Sequence, residues 1–218
     1  GKMLNFLSEM AETGCIVFMD GANKFSFEKT VGRSLTVKNF LPIPIPMPIP
    51  SATQSTYVRS LYTVGSNIAI AWLGRISQDK VSAIEKIIEE ISLSKFNNDI
   101  IFHIIGDGSE IDRVLKYADK KSVKLNRVGI LEQHALDEFL VNQVHFGIAM
   151  GTSCLEFAKV KMPVAIADYS YSKIPRSHGY EWLYETDSFT LGNDVDWGVT
   201  RRMSFDDLIF DFTRDKLN

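Results

Sequence analysis

Between Asn67 and Asp168 the apolar positions fall into short unbroken runs separated by longer amphipathic stretches. The runs Ile68–Leu73, Ile100–Ile105, Leu125–Val128, His145–Ala149 and Val164–Ala167 are four to six residues long and most are nearly continuously apolar, the signature of strands covered on both faces. In the first intervening stretch Ile84, Ile87, Ile88 and Ile91 recur at i, i+3, i+4, i+7 while Glu85, Lys86, Glu89 and Glu90 fill the other face, which predicts a helix with one buried stripe. Ile111, Val114, Leu115 and Ala118 repeat that pattern, and Leu136, Phe139 and Leu140 mark a third helix. A fourth starts near Ser153 and ends before Met162-Pro163, because proline disfavours helical geometry in the residue ahead of it. Strands alternating with helices of crossover length predict one parallel sheet with helices on both faces, an α/β fold.

The flanks differ. Five of the seven prolines lie in Leu41–Pro50, where fixed φ angles and missing N–H groups impose an extended course. The Ile and Met residues between these prolines predict that Pro42–Pro50 lies against protein rather than acting as a free linker. Ahead of it, Met3–Ala11 reads as a short helix and Cys15–Met19 and Ser34–Leu41 as strands, too little to bury a core alone. Residues 1–50 are therefore set apart from residues 51–218. Beyond the sheet, Tyr169, Tyr171, Tyr180, Trp182 and Tyr184 read equally as a satellite core or a binding surface, and Phe205, Leu208, Ile209 and Phe212 as one face of a final helix.

Composition narrows the chemistry. With 24 Lys and Arg against 27 Asp and Glu, the net charge of −3 gives no global attraction to nucleic acid or anionic membrane, so an anionic ligand needs a local set of donors. Cys15 and Cys154 have no disulfide or zinc spacing, which suits a reducing cytoplasm, and no apolar run is long enough to span a membrane. Gly1 ahead of Lys2-Met3 reads as a remnant of tag removal, and the chain as a fragment of a longer one.

In an open parallel sheet ligands bind beyond the C-terminal strand ends, where loops lead into helix N-termini. After the first strand, Gly74-Arg75 and Lys80 place two cations on one loop, suited to phosphate oxygens, although solvated surface charges would look the same. After the second, Gly106-Asp107-Gly108-Ser109 permits close backbone approach to a ligand, or forms a turn with Ser109 as helix cap. After the fourth, the N–H groups of Gly151, Thr152 and Ser153 could receive a diphosphate, while Ser153 and Glu156 also have capping-box spacing.

Taken in order, these loops resemble the retaining glycosyltransferases of family 4, also called glycosyl transferases group 1, over about Ile68 to Asp168. The shared features are Gly74-Arg75 with Lys80, Gly106-Asp107-Gly108, Val128-Gly129, and Leu155-Glu156-Phe157-Ala158 followed by Pro163-Val164. The resemblance implies the Rossmann-like donor half of the two-domain GT-B fold. It implies that Arg75 and Lys80 bind the donor diphosphate, to which the N–H groups of Gly151, Thr152 and Ser153 would add, that Glu156 accepts hydrogen bonds from the ribose, and that Gly106, Gly108, Gly129, Ile130 and Leu131 border the base. The reaction implied is transfer of a sugar from a nucleotide-diphosphate sugar, without a cofactor or metal and with retention, in polysaccharide or glycoconjugate synthesis. The acceptor, a glycan or lipid-linked, would sit on a missing domain of which Cys15–Pro42 resembles the last portion. Location would be cytoplasmic or peripheral at the inner membrane surface, with self-association through the N-terminal segment once that domain is absent.

Two departures are visible. The family's two glutamates are separated by seven residues, and counting back from Glu156 gives Ile148; the glycine-rich loop after the last strand is replaced by Tyr169–Pro175. A non-catalytic nucleotide- or protein-binding Rossmann-like module, or a GT-B nucleotide-sugar epimerase, is therefore the alternative. Asp194-Val195-Asp196 matches a short metal-binding D-x-D but sits in turn-rich sequence. His103 reads as a core imidazole, and His134, His145 and His178 show no catalytic spacing.

Overall fold

A computed structural model describes residues 2–18, 21–35, 67–186, 191–195 and 201–214. These residues group into two compact units, one within Gly1–Pro46 and Thr186–Thr190, the other within Met47–Glu185 and Leu191–Asn218. The expected course of Pro42–Pro50 lies outside the described residues.

In the first unit, α1 (Lys2–Glu12) is the expected helix. Cys15–Met19 is not the expected strand: its described residues, Cys15 to Phe18, are irregular. Gly14, at φ +84°, closes α1 by donating to Ala11, and Cys15 N–H donates to Met10, so the chain turns out of the helix instead of extending. Phe18 then packs with Ala11 and Leu35, and edge-on against Phe27, whereas Val17 is exposed. A second helix, α2 (Gly21–Val31), carries that Phe27. Ser34 and Leu35, the described start of the expected strand Ser34–Leu41, are also irregular.

The second unit follows the predicted alternation: β1 (Ile68–Leu73), α3 (Val81–Leu93), β2 (Ile100–Ile105), α4 (Ile111–Lys121), β3 (Leu125–Gly129), α5 (Gln133–Gln143), β4 (Phe146–Ala149), α6 (Ser153–Lys159) and β5 (Val164–Ile166). The strand order is β3-β2-β1-β4-β5, all parallel, and a two-residue β6 (Glu181–Trp182) adds an antiparallel edge beside β5. Alternation along the central strand divides the core. Ile68, Ile70 and Trp72 join α3, α4 and α7 (Phe205–Arg214) on one face, while Ala71 joins α5 and α6 on the other. The stripe Ile84, Ile87, Ile88 and Ile91 is fully buried, and Phe205, Leu208, Ile209 and Phe212 form the buried side of α7. Of the C-terminal aromatics, Tyr180 and Trp182 are core while Tyr171 and Tyr184 face solvent. Tyr180 donates to Glu90, which also holds Lys86, anchoring the returning chain on α3.

Candidate functional site

At the C-terminal edge the three neighbouring strands β1, β2 and β3 each end on a glycine with positive φ: Gly74 (+144°), Gly106 (+128°) and Gly129 (+83°). Gly74 N–H donates to Ile105, and Gly106 N–H to Gly129, so the ladder runs into the loops. The first two loops then interlock backbone on backbone. A Cβ on Gly106 would lie 2.2 Å from the Gly74 carbonyl oxygen, and one on Gly108 would lie 2.2 Å from that of Ile76. Ile76, wholly buried, receives the Glu110 N–H at its carbonyl and donates its own N–H to Asp107. Two of the three glycines expected to border a base, Gly106 and Gly108, are thus required for loop packing. Ser109 does not cap α4; its N-cap is Glu110, without a side-chain bond.

This packing fixes the Arg75–Lys80 loop against α6. A Cβ on Gly74 would lie 3.3 Å from Ser153 Oγ, 3.8 Å from Trp72 Nε1 and 4.0 Å from Lys80 Nζ. Three hydrogen-bonding side-chain groups therefore surround one point, and glycine leaves that point open. The Trp72 indole N–H is buried with no acceptor, and neither Arg75 nor Lys80 forms an ion pair or side-chain hydrogen bond among the described residues. Burial, and the nearby charge of Arg75, push the Lys80 ammonium below its ordinary pKa despite the opposing influence of Asp79. Trp72 was not legible as a site residue, because its strand position marks it as core and only the tertiary arrangement leaves its N–H unpaired.

The loop between β4 and α6 holds only Met150, Gly151 and Thr152. Of the three N–H groups expected to receive a diphosphate, that of Gly151 is already taken by the Leu191 carbonyl at 2.5 Å. No capping box forms: the α6 N-cap is Thr152, with no side-chain cap bond. Glu156 instead accepts from Gln133 Nε2 at 2.9 Å and pairs with Lys159 at 3.1 Å. Ser153 and Glu156, three residues apart, share a face of α6, so Glu156 lies one turn beyond the Gly74 point. Gln133 opens α5 after Gly129, Ile130 and Leu131, with Glu132 between them as N-cap, and Ile130 is 78% exposed beside that turn. The loop after β3, Glu156, Ser153 and the Arg75–Lys80 loop therefore follow one another along one edge.

Because the β4–α6 connection is so short, the position separated from Glu156 by seven intervening residues falls inside β4, where Ile148 is fully buried in the core. The segment after β5 is held by another cluster. Asp168 accepts from His178 Nε2 (2.8 Å), Arg201 (2.7 and 3.0 Å) and the Asn193 N–H (2.7 Å). Burial opposes its charge, yet those bonds and the Arg201 charge hold its carboxyl below the ordinary value. His103 is a core residue bonded to Asn126 and edge-on to Phe139, and the His145 ring accepts from Ala69 N–H at the opposite end of the sheet. Asp194 bridges to Tyr169, and Asp196 lies outside the described residues. Among the described residues no group of three or more His, Cys, Asp or Glu is placed to hold a metal, and no helix is long and apolar enough to cross a membrane.

No family model matches the chain, and no curated protein matches its sequence. Solved structures do match its fold. The Anabaena protein HepE in complex with UDP aligns over 98% of this chain and 57% of its own, at 11% identity and a TM-score of 0.55. The lipopolysaccharide outer core galactosyltransferase WaaB aligns over 68% of this chain and 41% of its own, at 13% identity and a TM-score of 0.52. WaaG, a glycosyltransferase involved in lipopolysaccharide biosynthesis, gives 68% and 42%, at 12% identity and a TM-score of 0.50. The six-stranded, mostly parallel sheet is thus the Rossmann-like half of the GT-B architecture. The chain spans about half the length of these solved chains.

Proposed function

We propose that this chain is the nucleotide-sugar-binding half of a retaining glycosyltransferase. The observation that carries the reading is the set of donors around Gly74 that are unpaired among the described residues, the Lys80 ammonium, the Ser153 hydroxyl and the buried Trp72 N–H, with the charge of the neighbouring Arg75 acting on Lys80. Such a set suits a diphosphate, whose oxygens accept hydrogen bonds and carry charge. The base would lie by Gly129, Ile130 and Leu131, the ribose on Glu156, and the diphosphate between Arg75, Lys80, Thr152 and Ser153, in the order these groups occupy along the edge. As the bond between sugar and diphosphate breaks, negative charge grows on the departing phosphate. Arg75 and Lys80 stabilise it there without a metal. The acceptor, a glycan or lipid-linked, would be bound by a second domain, in the cytoplasm or at the inner membrane surface. The likeness to WaaB, a lipopolysaccharide outer core galactosyltransferase, and to WaaG, a glycosyltransferase involved in lipopolysaccharide biosynthesis, supports surface-polysaccharide or glycoconjugate synthesis as the setting.

A second reading, a nucleotide-binding module without transfer activity, is favoured by Ile148, since the buried strand position leaves no room for the first of the two glutamates. Calorimetric titration with UDP, GDP and ADP tests what both readings share. Arg75→Ala and Lys80→Ala should each weaken diphosphate binding by about tenfold to a hundredfold, the worth of a charge-assisted hydrogen bond, and unchanged affinity in both variants would rule the site out. Turnover of the matching nucleotide sugar, absent under the second reading, separates the two.

A further inference from the structure

Glu156 is held by a closed ring of side chains that loop chemistry does not explain. Gln133 Nε2 donates to Glu156 Oε2 at 2.9 Å and to Asp137 Oδ1 at 3.0 Å, which uses both hydrogens of its amide. Lys159 Nζ, its side chain 2% exposed, sits 2.5 Å from Asp137 Oδ1 and 3.1 Å from Glu156 Oε2, closing the ring through ion pairs. Every one of these contacts to Glu156 falls on the same oxygen. Oε1 accepts no hydrogen bond from the described residues, and the side chain remains 22% exposed.

That asymmetry is informative. A tie serving only to join α5 to α6 is already present in the Lys159–Asp137 ion pair, which is more deeply buried, although the ammonium meets neither carboxylate in hydrogen-bond geometry. Engaging Glu156 as well adds little to helix docking but immobilises a side chain with three rotatable bonds, an ordering that otherwise has to be met when a ligand binds. Two carboxylates share one ammonium, so the ring keeps a net negative charge, and a charged carboxylate is the stronger acceptor for a hydroxyl. The open oxygen lies one helical turn from the Gly74 donors and beside the residue that follows the β3 loop.

We propose that Gln133, with Lys159 and Asp137, is the positioning set that aims the free oxygen of Glu156 at a ribose hydroxyl and thereby makes this chain prefer ribonucleotides to 2′-deoxynucleotides. The proposal rests on the nucleotide reading given above. Gln133 acts through Glu156 and does not itself touch the nucleotide.

The test uses the whole chain and calorimetric titration with UDP, GDP and ADP, each against its 2′-deoxy form, carried forward with the pair that binds most tightly. Gln133→Met keeps the length of the side chain and removes both donors. It should lower the ratio of ribo to deoxy affinity by about three- to tenfold, the worth of one hydrogen bond, with affinity for the deoxy form unchanged. In a Glu156→Ala background the same substitution should leave the ratio unaltered, because the two residues act as one unit. Gln133→Asn, which keeps a polar residue at the start of α5 but withdraws the amide by one methylene, should lower the ratio similarly and serves if Gln133→Met fails to fold. A parent that binds diphosphates without discriminating ribose from deoxyribose overturns the proposal. So does a Gln133 variant that retains the parent's ratio, even if its stability falls. A parent that binds no nucleoside diphosphate instead overturns the reading of the whole site, and the proposal with it.

Discussion

Gly106→Ala links the fold to the site, because the loop it disturbs is the one that presents Arg75 and Lys80. Two costs combine. At φ +128° a residue with a side chain occupies a backbone region it rarely adopts, at about 1–3 kcal/mol. The new Cβ would stand 2.2 Å from the Gly74 carbonyl oxygen and 2.9 Å from its carbon, and relieving such an overlap by backbone shifts costs about a further 1–3 kcal/mol. The sum, about 2–6 kcal/mol, is a large part of the roughly 5–15 kcal/mol that holds a typical domain together. Gly129→Ala is the control. Its φ is +83° but nothing lies within 4 Å of the added Cβ, so only the conformational cost of about 1–2 kcal/mol applies. Urea unfolding followed by circular dichroism should show both variants with lowered midpoints at similar slope, Gly106→Ala by much the more. Diphosphate affinity of the folded Gly106→Ala fraction should also fall, since the Gly74 turn must yield. A Gly106→Ala protein within about 0.5 kcal/mol of the parent, the range of an ordinary surface change, would refute the interlocked-loop account.

Asp168→Asn should destabilise the fold by about 3 kcal/mol, the low end for a broken buried pair, because Arg201 loses its buried partner and keeps only the partly exposed Glu181. Because the Asp168 carboxyl is held below its ordinary value of 3.8, its stabilising contribution is present above that pH and is lost as pH falls through the lower folded value. The parent should therefore approach the variant in stability on acidification, and a difference that stays constant to low pH would contradict this. A thiol reagent should modify one cysteine in the native chain and two after denaturation: Cys15 is exposed, whereas Cys154 is buried with its thiol pushed up to about 12, chiefly by burial. Mass spectrometry showing native modification at Cys154 would contradict its placement.

The sheet was legible because β1, β2, β4 and β5 are buried on both faces and so read as nearly unbroken apolar runs, unlike the edge strand β3 with its exposed Asn126 and Arg127, and because the Ile84–Ile91 stripe recurs at helical spacing. The same cue misled at Cys15–Met19, where the apolar run has no pairing partner among the described residues and instead packs its alternate members, Ile16 and Phe18, on a small helical cluster. Helix α2 was missed because Phe25 and Phe27, two residues apart, make no stripe of helical period, and one is exposed while the other is partly buried. At the site, Arg75, Lys80, Ser153 and Glu156 could be found from loop order. The Trp72 N–H could not, nor could the hold of Gln133 and Lys159 on Glu156, since each depends on contacts between elements distant in sequence. Gly106 and Gly108 were legible as special positions, but their partners, the carbonyls of Gly74 and Ile76, lie some thirty residues away in another loop.

The central claim is that the Gly74 edge is built for the diphosphate of a nucleotide. Titration calorimetry of the unaltered chain with the di- and monophosphates of uridine, guanosine and adenosine tests it most directly. At least one nucleoside diphosphate should bind, more tightly than its monophosphate by tenfold or more, the worth of about 1.4 kcal/mol from contacts to the second phosphate. Equal affinity for the two forms, or no binding of any diphosphate, would contradict the claim.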